Sequence, residues 1–284
     1  MTNVLASSLR EERVATTGGL EIFVRSWRPD GQARAVVAIC HGVLSHSGYY
    51  TWVAEQFVAS GLAVYALDLR GRGKSDGERF YLESFGDYLS DVDALIRLAK
   101  SREPGLPVFL LGHSAGGVVS SVYTLEHQAE LAGLICESFA FEVYAPEFAL
   151  AVLKGLSHLA PHAHVLKLPI EGFSRNPEAV AAMTNDPLIA HEVQPTKTVA
   201  ELVRADERLR REFPLFTLPL FILHGTADKV TRPGGSQLFY DTAGSADKTL
   251  KLYEGHVHDL LNDLDKEVVM SDIKGWIDAH LPAV

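Results

Sequence analysis

The sequence predicts an α/β fold built on a mostly parallel, eight-stranded sheet with helices on both faces. Three observations predict it. Continuous apolar runs at residues 35–40, 63–67, 108–111, 131–136, 218–223 and 250–253 read as strands buried on both sides. Segments of helical period separate them, among them 85–99 and 264–280. Residues 12–28 alternate around Gly18-Gly19 as an antiparallel hairpin, which adds two strands at one edge of the sheet. Buried parallel strands joined by amphipathic helices place function at the carboxyl ends of the strands.

Residues 1–139 and 215–284 carry this alternation, and residues 140–214 interrupt it. Between Ser138 and Pro219 no strand is evident, and the composition turns to Ala, Leu, His and Pro. A structureless loop of roughly eighty residues does not fit a compact domain, so this interval reads as an inserted helical cap. Its segments are 145–155, 160–169 and a charged helix at 198–213. The apolar stretch from Phe148 to Leu156 reads as packed core of the cap, with binding at an interface, hence peripheral membrane contact, as the lesser reading.

With 284 residues, 47% of them hydrophobic, the chain has enough apolar material for one large domain with an insertion. The charge balance, 26 Lys and Arg against 36 Asp and Glu, argues against nucleic acid or an anionic membrane as partner and favours a small neutral or amphiphilic substrate. Cys40 and Cys136 each end an apolar run, and two buried thiols in a reducing compartment are the simpler reading. Met1 to Arg10 lacks a charged region followed by an apolar core, and no apolar run approaches the ~20 residues of a membrane span, so a cytoplasmic protein is expected.

The chemistry is concentrated at Gly112-His113-Ser114-Ala115-Gly116, between an apolar strand and a proline-free, small-residue helix. This pattern is a nucleophile elbow, whose turn is so tight that glycine is needed at both flanks. It predicts Ser114 strained and exposed at the top of the sheet. A serine hydroxyl is a weak nucleophile and needs a histidine base oriented by a carboxylate. The expected order is serine, acid, histidine. The run 220–223 leads into His224-Gly225-Thr226-Ala227-Asp228, which puts Asp228 in a strand-end loop. The last strand leads into Glu254-Gly255-His256-Val257-His258-Asp259, which offers His256 and His258 as bases.

These motifs, with His41-Gly42 through Tyr49-Tyr50, Asp68 through Glu78, Ser174-Arg175-Asn176 and Asn185-Asp186-Pro187-Leu188, resemble the monoglyceride lipase and lysophospholipase branch of the α/β-hydrolases over nearly the whole chain. The resemblance implies the α/β-hydrolase fold and a serine ester hydrolase working without metal or organic cofactor. It selects His258, three residues after Gly255, as base to Ser114 and Asp228, and leaves His256 as the fallback. It implies an oxyanion hole from the backbone N–H groups of Val43 and Ala115, and a substrate-contacting set of His41, Gly42, Ser45, Tyr49, His113 and Leu261. Mammalian members carry Glu and Arg where this chain has Ser45 and Tyr49, and His where it has Leu261. A site that does not hydrogen-bond a hydroxyl does not strongly prefer one, so a broad carboxylesterase accepting monoacylglycerols and lysophospholipids is expected. Thioesterase or acyltransferase chemistry uses the same triad, and a non-catalytic ligand-binding protein on this fold is the reading from another class.

Other signals point nowhere. Gly71-Arg72-Gly73-Lys74-Ser75 ends like a phosphate loop but has Asp68 where that motif requires glycine. His158, His162 and His164 are split by Pro161 and have no cysteine nearby, against a zinc site. The run Arg204 to Glu212 reads as a solvated helix face of close opposite charges. Arg175 is the one cap arginine singled out as a possible phosphate contact.

Overall fold

The computed structural model describes residues 9–142 and 147–281. The first eight residues of the expected leaderless N-terminus, and the first two of the helix expected at 145–155, lie outside them. The hairpin is β1 (Arg10–Ala15) and β2 (Glu21–Trp27), closed by a 3-10 turn in which Gly18 takes φ 75°. Then follow β3 (Val36–Cys40), α1 (Thr51–Ala59), β4 (Ala63–Asp68), α2 (Phe85–Arg102), β5 (Val108–His113), α3 (Ala115–His127) and β6 (Gly133–Glu137). The interval contributes α4 (Glu147–Leu159), β7 (His164–Leu166), α5 (Pro177–Asn185), β8 (Gln194–Pro195) and α6 (Thr196–Glu212). The chain closes with β9 (Leu220–Gly225), α7 (Pro233–Thr242), β10 (Lys248–Tyr253) and α8 (Lys266–Ala279).

Eight strands form one sheet in the order β1-β2-β4-β3-β5-β6-β9-β10. β1 pairs with β2 and β2 with β4 antiparallel, while every pairing from β4 to β10 is parallel. Period-2 alternation feeds two cores. Val36, Ala38 and Cys40 of β3 join α2 and α3, through Val92, Leu95, Val118 and Val122, on one face. Val37 and Ile39 join α1 and α8, through Val53, Phe57, Ile273 and Trp276, on the other. Cys40 and Cys136 are both buried and unpaired, and burial pushes both thiols up to about 12.

Two expectations for the interval fail. β7 and β8 pair as a short antiparallel ribbon where no strand was expected. Three exposed residues against two are too few to show alternation in a sequence. Nor is the Phe148 to Leu156 stretch a packed core: Phe148 is 74% exposed, Val152 65%, and Leu159 just beyond it 86%. α4 lies against α6, and no described residue covers its other, apolar side.

Candidate active site

β5 and α3 meet at Ser114, whose φ of 54° and ψ of −121° lie outside the regions L-residues favour, as a nucleophile elbow requires. Glycine is obligatory around it. A Cβ on Gly116 would stand 2.2 Å from the Cys40 carbonyl oxygen, and one on Gly112 would stand 2.5 Å from that of Gly116. The missing side chains let α3 press against the ends of β3 and β5. Strain at Ser114 is thus held by close packing of the elbow against β3 and of β5 against α3.

Ser114 Oγ lies 2.9 Å from His258 Nε2, and His258 Nδ1 lies 2.7 Å from Asp228 Oδ2. Asp228 receives more than this one bond. Oδ1 accepts the Val230 and Thr231 N–H groups at 2.7 and 3.0 Å, and Oδ2 accepts the Thr231 hydroxyl at 2.9 Å and His224 Nε2–H at 3.1 Å. Burial opposes the charge of Asp228, but bonds from His224 and His258 outweigh it and hold the carboxyl well below the usual carboxylate range. His224 is oriented in turn by the Ser236 hydroxyl, 2.7 Å from Nδ1. His256 does not join this chain: its nearest carboxylate oxygen, on Asp263, is 4.0 Å away. The geometry therefore separates the two histidines.

The other expected residues divide. A Cβ on Gly42 would lie 2.8 Å from Ser114 Cβ, so the His41-Gly42-Val43 turn runs directly over the elbow. His41 sets that turn: Nδ1–H donates to the Gly42 carbonyl at 2.6 Å and Nε2 accepts Leu69 N–H at 3.0 Å. Burial lowers its pKa to about 4, which keeps the ring neutral for both bonds. Ala115 opens α3, where an amide has no acceptor within the helix. The His113 ring lies tilted beside that of His258, with centroids 5.0 Å apart. Ser45 is buried and bonds the Tyr50 side chain, while the Tyr49 hydroxyl donates to Asp186 Oδ2 at 2.8 Å. Leu261 is a correction to the substrate-contacting set. It is fully buried in the core beneath the sheet with Tyr50 and Leu260, because Glu137 Oε1 holds its amide there at 3.1 Å.

Ser114 is also a correction, since it is only 2% exposed. Phe173, Met183 and Ile189 from the interval join Val43, Leu44, Ala115 and Val230 in an apolar cluster over it. Phe173 sets its ring edge-on at 4.9 Å to His258. The interval is bolted to the loops around the site by the motifs that carry the family resemblance. Asp186 accepts His46 Nε2–H at 2.8 Å, Glu192 accepts Leu44 N–H at 3.1 Å and pairs with Arg72, and Ser174 donates to the Asn262 carbonyl at 2.9 Å. Arg175 is spent on Asp263, 2.8 Å away, and so is not a free phosphate contact.

The discounted signals resolve in the same way. The amide of Lys74 wraps the Asp68 carboxylate at 2.8 Å, and a Cβ on Gly73 would strike it at 2.1 Å, so this loop encloses a side chain of the protein itself. His158 bonds Arg204 and His162 bonds Glu78, so these histidines face different partners. Sequence reasoning missed His224, Thr231 and Phe173. The signal for His224 was present, as a histidine continuing the buried strand four residues before Asp228.

A family model described as serine aminopeptidase, S33, matches residues 31–265. A monoacylglycerol lipase of Mycolicibacterium smegmatis is 34% identical over 280 residues, which cover 98% of this chain and 100% of that protein. The chain belongs to this family of α/β-hydrolases, in its monoglyceride lipase branch. The human monoglyceride lipase is 33% identical over 264 residues, covering 91% of this chain and 87% of that one. Among solved structures, the monoacylglycerol lipase of Paleococcus ferrophilus superposes with a TM-score of 0.81 at 28% identity, over 96% of this chain and 99% of that chain. The α/β-hydrolase sheet order and the elbow described above are the features this hydrolase has in common with the expected fold.

Proposed function

We propose that this hydrolase is a serine carboxylic-ester hydrolase that cleaves monoacyl esters, monoacylglycerols among them, through an acyl-enzyme on Ser114. The observation that carries the reading is the unbroken chain from Ser114 Oγ through His258 to Asp228, at 2.9 and 2.7 Å. Nε2 of His258 takes the serine proton as Oγ attacks the ester carbonyl, and Asp228 holds the ring and stabilises its charged form. The amides of Val43 and Ala115 receive the developing oxyanion. The alcohol leaves with the proton from His258, and water activated by the same ring releases the fatty acid.

Residues 140–214 act as a cap on a core made of 1–139 and 215–284. Support comes from the apolar cluster over Ser114, to which the interval contributes Phe173, Met183 and Ile189, a lining suited to an acyl chain. The unpaired Cys40 and Cys136 support a reducing, cytoplasmic setting. No helix among the described residues is long and apolar enough to cross a membrane. The uncovered side of α4 supports peripheral contact with amphiphile assemblies.

A second reading, a broad esterase that also takes lysophospholipids or thioesters, is favoured by one observation. Tyr49 and Arg175 are committed to Asp186 and Asp263, and Leu261 is buried, so these positions offer no free polar grip on glycerol or phosphate. The test is hydrolysis of p-nitrophenyl esters from acetate to palmitate beside monoacylglycerol and lysophosphatidylcholine. Ser114→Ala and His258→Ala are expected to lose about four orders of magnitude in kcat, while His256→Ala stays within about fivefold. A wild type inert on every ester sinks the reading and leaves the ligand-binding protein. The monoacylglycerol to lysophosphatidylcholine ratio decides between the narrow and the broad enzyme.

A further inference from the structure

Glu137, the last residue of β6, is fully buried and touches both arms of the site. Its backbone carbonyl accepts the Ser114 amide at 2.9 Å, and its side-chain Oε1 accepts the Leu261 amide at 3.1 Å, three residues beyond His258. One residue thus ties the nucleophile turn to the histidine loop. Among the described residues, the second carboxyl oxygen, Oε2, has no hydrogen-bond partner, and the buried His113 ring has none beyond a weak contact with the His258 backbone. One polar side-chain atom from each of His113, Glu137 and Asp259 lies within 4.8 Å of the others. Asp259 is differently placed, with Asn262 Nδ2 at 3.1 Å from each of its oxygens.

A buried carboxylate gathers donors on both oxygens, because an unpaired charge in a dry interior is costly. Glu137 has them on one oxygen only. A carboxylic acid has that asymmetry, with a carbonyl oxygen that accepts and a hydroxyl that must donate. One carboxyl oxygen of Glu137 lies within 4.8 Å of an Asp259 carboxylate oxygen and of a His113 ring nitrogen. The titratable groups that face Glu137 are Asp259 and His113, with Tyr50 and Tyr253 further out, and none supplies a positive charge. Two carboxylates this close and this dry do not both ionise.

We propose that Glu137 is a positioning residue held as a neutral carboxylic acid beside the Asp259 carboxyl, while its Oε1 and its backbone carbonyl brace the loop of His258 and the turn of Ser114. Burial and the nearby Asp259 push its pKa well above the carboxylate range, while burial, moderated by Asn262, raises Asp259 to about 6. Burial, then His258, keeps the His113 pKa far below its ordinary value, so the ring is neutral. The role in positioning rests on Ser114 and His258 as the catalytic pair; the state of the carboxyl does not.

A carboxyl raised in the folded state adds stability that is complete below its unfolded pKa, near 4.3, and is lost as the pH climbs toward the folded value. Glutamine has the same shape, stays neutral and loses nothing. The experiment compares full-length wild type, Glu137→Gln and Glu137→Ala by urea midpoint from about pH 5 to 8.5, by infrared difference spectroscopy in D2O and by ester hydrolysis. Glu137→Gln is expected to gain on wild type steadily as pH rises and to keep kcat within about threefold at wild-type KM, while Glu137→Ala loses roughly tenfold or more in kcat. The wild type minus Glu137→Gln spectrum is expected to hold the carbonyl band of a protonated acid at neutral pH. A midpoint difference independent of pH, absence of that band, or a stoichiometric divalent metal in the purified protein overturns the proposal. Should Glu137→Ala not fold, Glu137→Gln carries the test. Should wild type hydrolyse no ester, the positioning role falls, while the midpoints and the spectrum still report where the proton sits.

Discussion

Asp228 Oδ2 is held by two histidines at once: His258 Nδ1 at 2.7 Å and His224 Nε2 at 3.1 Å. Both rings are fully buried, and the Ser236 hydroxyl at 2.7 Å from His224 Nδ1 fixes that ring so that Nε2–H faces the acid. His224→Phe removes one of the donors on Oδ2 and leaves the Val230 and Thr231 amides and the Thr231 hydroxyl to hold the carboxylate toward His258. It is expected to cost about tenfold in kcat, ~1.4 kcal/mol, with KM little changed. His224→Gln, which keeps a donor, recovers most of it. Steady-state kinetics on one short ester checks the split, and an unchanged kcat in His224→Phe would remove His224 from the argument.

The depressed pKa of Asp228 sets the sign of an acid effect. A carboxyl lowered in the folded state adds stability that is complete above its unfolded pKa of ~3.9 and is lost as the pH falls through the folded value. Asp228→Asn is therefore expected to be destabilised most at neutral pH, with the gap to wild type narrowing below about pH 4. Urea midpoints at several pH values measure it; a constant gap would mean that Asp228 adds no pH-linked stability.

Gly116 is where the elbow meets β3, and a Cβ there would stand 2.2 Å from one backbone oxygen and 2.4 Å from the next. Neither oxygen belongs to a flexible side chain. Gly116→Ala is expected to cost about 1–3 kcal/mol and to move Ser114 off His258, so that thermal stability and kcat fall together. Gly155→Ala, inside α4 with open space at the same test, serves as the control and is expected to leave kcat within error and to hold or slightly raise thermal stability.

On α4, Phe148 and Leu159 leave an apolar surface that nothing described covers. If that surface meets aggregated substrate, Phe148→Ser with Leu159→Ser is expected to slow hydrolysis of micellar long-chain monoacylglycerol by roughly tenfold and to leave a soluble short-chain ester unaffected, since only the first requires adsorption to an assembly. Equal rates on both substrates, before and after the change, would count against adsorption through α4.

What the sequence determined by itself was local. Each strand is a short apolar run whose burial on both faces follows from composition, and the elbow is legible because Gly112, Ser114 and Gly116 are a steric requirement of one tight turn. The loop positions of Asp228 and of the histidine pair followed from where their strands end. Tertiary structure decided what depends on approach between distant segments. His258 rather than His256 reaches Ser114, 144 positions earlier in the chain, and the spacing of the two histidines holds no information on which one turns inward. Phe173 and Ile189 cover Ser114, and Leu261 sinks into the core, because segments far apart in the chain converge there. Among the described residues the apolar side of α4 stays uncovered for the complementary reason: periodicity reports that a helix has an apolar face, and only packing reports whether a second surface arrives to bury it.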